Sequence, residues 1–318
     1  MGIGSGKTIM KHLRLGTRAS ALARVQSRMI AGFVERASPG LIVEQVEIST
    51  TGDEVKDKAL KSFGGAGVFV KELEAALLDK RIDIAVHSLK DVPTAQPSGL
   101  VLGAIVCRED THDCAIVRGG LKLDDLPAGS VVGTGSARRR MQIARRNPEL
   151  KFAEIRGNVE TRIAKVENGQ YDATILALAG LKRLGLAKKT SEILPYSALL
   201  PAPGQGALTV QCRSSDRATR ALLEKVHDQT VAICVEAERE LLAMFGGGCN
   251  LPLGALANIR GLTLQLRAVL GLADGSRPIH AFDSVVMSDA SAAKELAARV
   301  HAKMMKQGAQ KILTALGV

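Results

Sequence analysis

The chain has 318 residues, 46% hydrophobic and 24% charged, which is the balance of a soluble globular protein long enough for two or three domains. Its formal net charge of +11 favours anionic partners: nucleic acid, an anionic membrane surface, or a ligand rich in carboxylate or phosphate. Aromatic residues are only 3%, which argues against single-strand binding by base stacking, and no apolar run reaches membrane-spanning length. The cysteines number five, and their spacing matches no disulfide framework. The N-terminus shows no apolar signal core, so the expectation is a cytoplasmic protein with reduced thiols.

Residues 1–11 are Gly/Ser-rich and expected to be a disordered extension. Gly6-Lys7-Thr8 mimics the end of a phosphate-binding loop, but the required earlier glycine falls on Met1 and no strand precedes it. Leu13 to Gly16 reads as a strand, and Ser20 is the natural N-cap of a helix from Ala21 to about Arg36. Ile42 to Ser49 alternates like a strand. The Lys- and Gly-containing stretch from Val55 to Val68 has weak periodicity and reads as a mobile loop. Phe69 to Leu78 is helical, and the buried strand Ile82 to Val86 leads into His87-Ser88-Leu89-Lys90-Asp91-Val92-Pro93. Leu100 to Val106 is another strand.

A second unit starts at Val131-Val132, followed by the Gly133-Thr134-Gly135 loop and a helix from Ser136 to Arg146. It echoes the first unit: strand, Gly-Thr, small residues, Arg, helix. The echo predicts two similarly built α/β domains facing each other. Leu199 to Gly206 is a hinge by composition, and Ala207 to Cys212 is a strand placed to return to the first domain. Helices follow at Arg217 to Val226 and Thr230 to Phe245. Strands at Gly254 to Ile259, Leu262 to Leu270 and Ile279 to Val286, with helices at Asp289 to Lys306 and Ala309 to Leu316, make a smaller α+β domain. The expected division is 12–106 with 201–216, then 107–200, then 217–318.

Several constellations carry chemistry. Ser136-Ala137-Arg138-Arg139 places arginines in a helix's first turn, where acidic residues are preferred. Helix N-terminal amides with arginine side chains make an anion site, and arginine grips carboxylates with two parallel bonds. The competing reading is a solvated basic face. Arg156 and Arg162 add cations at a loop and a helix start. Arg18, Lys90 and Arg183 occupy equivalent places after strands, where α/β domains bind ligands. These cations converge on one inter-domain cleft suited to a ligand with several carboxylates. Asp91 is the exception among them, either a turn former or a carboxylate that stabilises a developing cation. His87 reads as a structural histidine. Cys107, His112 and Cys114 lie close together without completing a metal set. In Gly246-Gly247-Gly248-Cys249-Asn250-Leu251-Pro252, glycines leave room around a sulfur that is either a nucleophile or attachment point, or a small buried hydrophobe.

Together, Gly16-Thr17-Arg18-Ala19-Ser20, Phe69-Val70-Lys71-Glu72-Leu73-Glu74, the His87 to Pro93 run, Arg156-Gly157-Asn158-Val159, Pro201-Ala202-Pro203-Gly204-Gln205-Gly206 and the Cys249 loop resemble the porphobilinogen deaminase (hydroxymethylbilane synthase) family, from about Leu13 to the C-terminus. The resemblance implies an α/β fold with two periplasmic-binding-protein-like domains and a smaller C-terminal α+β domain. It implies a transferase of tetrapyrrole and heme biosynthesis that deaminates porphobilinogen. The units are joined head to tail on a dipyrromethane cofactor attached covalently through Cys249, and linear hydroxymethylbilane is released. By motif, Asp91 is the catalytic carboxylate. Lys90, Ser88, Thr134, Ser136, Arg138, Arg139 and Arg156 bind cofactor, while Arg18, Ser20, Arg156, Arg162, Arg183 and Gln205 bind substrate. No metal, nucleic acid or membrane is implied. The expectation is a monomer, with product hand-off to uroporphyrinogen-III synthase. The sequence departs from the family pattern at Ser62 and Ala66, where bacterial relatives often carry lysines, and at Gly135, where serine is frequent. A non-catalytic two-lobed anion-binding protein is the alternative; it would need neither Cys249 nor Asp91. A nucleic-acid binder has only the charge in its favour and would bind duplexes with steep salt dependence.

Overall fold

The computed structural model describes residues 11–48, 70–248, 251–287 and 291–318. The expected extension up to residue 10, the 55–68 loop with Ser62 and Ala66, and Cys249 with Asn250 lie outside them.

The first sheet begins with β1 (His12–Thr17), whose burial alternates before it becomes continuous. Helix α1 (Ala21–Ala37) follows, with the Ser20 hydroxyl accepting from the Ala23 amide as N-cap, a contact worth about 1 kcal/mol. Its buried residues Gln26, Ile30, Ala31 and Val34 fall on one helical face against the sheet. β2 (Ile42–Glu47) pairs parallel with β1. Helix α2 (Lys71–Leu78) leads to β3 (Ile84–Ser88), which also pairs parallel with β1. A single 3-10 turn, Leu89–Asp91, closes that strand. β4 (Leu100–Arg108) lies at the far edge.

The chain then crosses to a second sheet. It contains β5 (Asp113–Val117), β6 (Val131–Gly133), β7 (Lys151–Ala153), β8 (Ala173–Ala177) and the short β9 (Glu192–Ile193). Helices α3 (Ala137–Arg146), α4 (Val159–Glu167) and α5 (Leu178–Arg183) connect them. After residues 195–206 the chain returns to the first sheet as β10 (Ala207–Arg213), antiparallel between β3 and β4.

The strand orders are β2-β1-β3-β10-β4 and β7-β6-β8-β5-β9. Each sheet has three parallel strands beside one antiparallel strand that arrives from the other lobe: β10 in the first, β5 in the second. The two-lobed α/β plan is the expected one, and the sequence echo between the two units corresponds to this shared topology. The crossovers pack tightly. A Cβ on Gly206, where φ is +85°, would lie 2.3 Å from the Glu109 carbonyl oxygen of the other crossover.

Helices α6 (Arg217–Glu224) and α7 (Gln229–Met244) precede the third sheet, an antiparallel meander of β11 (Leu253–Arg260), β12 (Thr263–Leu270) and β13 (Ile279–Val286). Helix α8 (Ala292–Lys306) and α9 (Ala309–Leu316) complete this unit. Its core packs Leu241 and Phe245 of α7 with Leu264, Leu266, Leu296 and Val300. The other sheet face rests on the second lobe, where Leu256 and Val269 meet Met141 and Leu200. The strands β5, β7 and β9 have no counterpart in the sequence reading. All five residues of β5 are buried, so it shows no alternation. Among the described residues, no helix is long and apolar enough to cross a membrane.

Candidate active site

The parallel strands of both lobes direct their carboxyl ends toward the crossovers. Arg18 follows β1, Lys90 and Asp91 form the turn after β3, Thr134 and Ser136 follow β6, and Arg156 follows β7. This placement is the general one for ligands of open α/β sheets. Asp91 is exposed, whereas Arg138 and Arg139 are buried. The charges act on one another across the lobes. Lys90 feels Asp91, Arg139 and Arg138, and Arg162 feels Arg139, Asp91 and Arg156. Burial pushes the Lys90 ammonium down to about 8 against the pull of Asp91. Burial likewise lowers Arg138, Arg162 and Arg183 from the ordinary arginine value. A site that holds several desolvated cations gains from an anion.

The individual side chains are placed as follows. Ser136 caps α3, its hydroxyl accepting from the Arg139 amide at 3.4 Å, and the Thr134 hydroxyl accepts from the Ser136 amide at 3.2 Å. Gln26 donates to Ser88 Oγ at 2.9 Å. Ser20 is used as the α1 cap. Arg156 pairs with Glu154 at 2.8 Å, and Arg162 donates to the Gly157 carbonyl at 2.7 Å. Arg183 Nη2 donates to the Gly206 carbonyl at 2.6 Å. Gln205 is fully buried and donates to the Thr111 carbonyl at 2.8 Å. Two buried atoms at this hinge are left unpaired among the described residues, the donor Arg183 Nε and the acceptor Gln205 Oε1. Buried orphan atoms are costly, and a carboxylate and an N–H are the groups that would satisfy them. At Gly135 an added Cβ would meet nothing within 4 Å, so sterics do not impose the missing serine there.

His87 is buried, and its Nε2 lies 3.1 Å from Gln211 Oε1. Burial drops its pKa to about 4 and so keeps the ring neutral, although the Gln211 contact pulls the other way. It is a structural histidine, as the sequence indicates. The Cys114 thiol donates to the Leu176 carbonyl and His112 pairs with Asp110 at 2.6 Å. Among the described residues no group of three or more His, Cys, Asp or Glu could hold a metal.

Three parts of the site escape the sequence reading. Asp113, at the start of β5, is fully buried and grips both Arg138 and Arg139 at 2.7 Å. Burial opposes its charge, but the two guanidinium groups outweigh it and hold its carboxyl below the usual carboxylate range. Arg239 of α7 donates to the carbonyls of Leu89, Val92 and Pro93, bracketing the Lys90-Asp91 turn. Glu238, its neighbour, is fully buried and joins three segments. It pairs with Arg108 of β4, and accepts from the Gly204 amide of the second crossover and the Ala257 amide of β11. Arg108 and Glu238 are 130 positions apart, so no local pattern announces them. Helix α7 ends at Met244 with Phe245 as its cap, and the glycines that follow have positive φ, +89° at Gly246 and +69° at Gly247. A Cβ on Gly247 would lie 2.7 Å from Thr94 Oγ1, so the segment entering Cys249 leaves α7 beside the loop that follows Asp91.

The family model described as porphobilinogen deaminase, dipyromethane cofactor binding domain, matches residues 13–221, and the one described as porphobilinogen deaminase, C-terminal domain, matches residues 232–306. Proteins of two strains of Acidithiobacillus ferrooxidans, named porphobilinogen deaminase, are 44% identical over 301 residues, which is 95% of this chain and 97% of theirs. Among solved structures, the BvgS VFT2 domain of Bordetella pertussis aligns with a TM-score of 0.42 and 17% identity over 68% of this chain and 86% of its own. The BenM effector binding domain aligns with a TM-score of 0.41 and 19% identity over 75% and 95%. With both family models matched in order and near-full-length relatives at this identity, the chain belongs to the porphobilinogen deaminase family.

Proposed function

We propose that the cleft between the lobes carries out the family reaction, hydroxymethylbilane synthesis from porphobilinogen, with the residues assigned by motif. The carrying observation is one exposed carboxylate, Asp91, set among desolvated cations from both lobes. The donor set fits a dipyrromethane with acetate and propionate groups, because Lys90, Arg138, Arg139 and Arg156 are cations within one cleft and Ser88, Thr134 and Ser136 add hydroxyls. The group, when bound, supplies the pyrrole end to which porphobilinogen is joined. Cys249 is its attachment point: Gly247, two residues ahead of it, lies against Thr94 in the loop that follows Asp91.

Arg18, Ser20, Arg156, Arg162, Arg183 and Gln205 bind substrate, with Arg183 Nε and Gln205 Oε1 as the unpaired donor and acceptor. Porphobilinogen loses ammonia through a state with positive charge on its ring nitrogen. Asp91 holds a negative charge where that cation develops, so it stabilises the transition state more than the substrate. The arginines bind the carboxylates yet oppose this charge, and Asp91 offsets them at the reacting atoms. The domain division 12–106 with 201–216, 107–200 and 217–318, a cytoplasmic location, a monomeric state and hand-off of the product to uroporphyrinogen-III synthase complete this reading.

The test is the intact mass of the purified protein. An adduct of dipyrromethane mass is expected, and Cys249→Ser is expected to abolish it together with turnover. An active protein of unmodified mass would refute the assignment.

A further inference from the structure

We propose that Asp113 is a positioning residue for the cofactor site, acting through Arg138 and Arg139. The proposal rests on reading those two arginines as cofactor ligands.

The geometry is specific. Asp113 is the first residue of β5, antiparallel to β8, and lies opposite Ala177. It therefore emerges at the carboxyl end of β8, on the ligand side of the second sheet. Its Oδ2 accepts from Arg138 Nη1 at 2.7 Å. Its Oδ1 accepts from Arg139 Nε at 3.0 Å and Nη2 at 2.7 Å. Backbone carbonyls finish the clasp: Leu200 O accepts from Arg138 Nη1 at 2.7 Å, and Ile175 O accepts from Arg139 Nη1 at 2.8 Å. Asp113 follows the first crossover and Leu200 belongs to the second. Arg138 thus bridges both connections between the lobes.

What is left over points to the ligand. Arg138 makes these bonds with Nη1 alone, and no other hydrogen bond is formed by its Nε or Nη2 among the described residues. Those two atoms form the edge of a guanidinium that grips a carboxylate with two parallel bonds. Arg139 keeps one N–H on each Nη. Two guanidinium groups on successive residues repel each other, and without a counter-charge between them their planes would separate. Asp113 holds both side by side and oriented before any carboxylate arrives. Preorganisation of this kind lowers the cost of binding. A purely structural ion pair has no need of two arginines, nor of a free fork edge on one of them. Asp113 also lies within electrostatic reach of Lys90, so the same carboxylate tempers the third cation of the cluster.

The experiment uses the full chain produced in a host that cannot make porphobilinogen, and hence free of cofactor. Porphobilinogen is added, and gain of the covalent mass is followed by intact-mass spectrometry, with near-UV circular dichroism and Tm recorded on the same samples. Asp113→Asn keeps size and one acceptor but removes the charge. It is expected to load at least about tenfold more slowly than wild type, a threshold set below the roughly 10²-fold that a misplacement of about 1 Å can cost. Leu123→Ala, a buried core change in the same lobe, lowers Tm without touching the arginines and is expected to load at the wild-type rate. Wild-type loading by Asp113→Asn, or equally slow loading by Leu123→Ala, overturns the proposal. Should Asp113→Asn fail to fold, Asp113→Glu decides. It keeps the charge but pushes both guanidinium groups outward, so slow loading supports the positioning role and a wild-type rate overturns it. If the wild-type chain itself gains no mass, the cofactor reading fails and this proposal with it.

Discussion

Glu238 offers the sharpest test of how the three units are held together. Its Oε1 accepts from Arg108 Nη1 at 2.9 Å and from the Ala257 amide at 2.7 Å. Its Oε2 accepts from Arg108 Nη2 at 3.0 Å and from the Gly204 amide at 2.7 Å. Glu238→Gln replaces one of these oxygens by an NH2 group. In either orientation that group faces a guanidinium nitrogen and a backbone amide, both donors. Two of the four bonds are lost, and Arg108, with a side chain 10% exposed, keeps its charge without a counter-ion. Breaking a buried pair from one side costs about 3–5 kcal/mol. At the usual unfolding entropy per residue, a chain of this length loses about 1.5 °C of Tm per kcal/mol, so the expected fall is about 4–8 °C. Thermal unfolding followed by near-UV circular dichroism measures it, with porphobilinogen turnover recorded well below the transition. Because Glu238 joins β4, the second crossover and β11, turnover should fall as well. A variant that melts within about 2 °C of wild type would show that the carboxylate's charge is dispensable, and the reasoning would be wrong.

Asp91→Asn is expected to fold normally and lose turnover by a factor on the order of 10², the range for one preorganised electrostatic group, while Asp91→Glu keeps part of the activity; steady-state porphobilinogen consumption within a few-fold of wild type for Asp91→Asn would reduce Asp91 to a turn residue. Lys90, held at about 8 by burial, should give two opposite pH trends in the cofactor-free protein. Its folded pKa lies below the unfolded one, so the unfolded chain binds the extra proton and stability rises with pH from about 8 to the ordinary lysine value. Capture of carboxylates weakens over the same interval as the charge is lost. Lys90→Met should remove the stability increment, and equal pH slopes of Tm in the two proteins would contradict the assignment.

Much of the fold was legible because its signals are local. The apolar spacing in α1, the serine caps of α1 and α3, and the glycine stop after α7 each announce an element within a few residues. The cation placement was legible because strand ends follow from the strands. The remainder depends on contacts between distant positions. Strand β5 is buried on both faces, which erases the alternation that reveals a strand. Asp113 there is separated by 25 and 26 residues from the arginines it binds. Arg239 reaches carbonyls about 150 positions away, and a carbonyl acceptor leaves no mark on residue type. Cys249 stood out by its glycines, but the choice of attachment point over buried hydrophobe came from the resemblance.

The path of the chain through the first sheet has a consequence for synthesis. Strand β10 lies between β3 and β4, yet it is made only after the whole second lobe. As the polypeptide leaves the ribosome, the first lobe therefore waits with a gap in its sheet and its β3 and β4 edges unpaired. All five strands of the second sheet, by contrast, are complete by residue 193. The later lobe is thus able to finish before the earlier one, and its closure brings residues 108 and 207 together. A truncation that removes β10 therefore leaves the N-terminal lobe, not the nascent end, as the incomplete part.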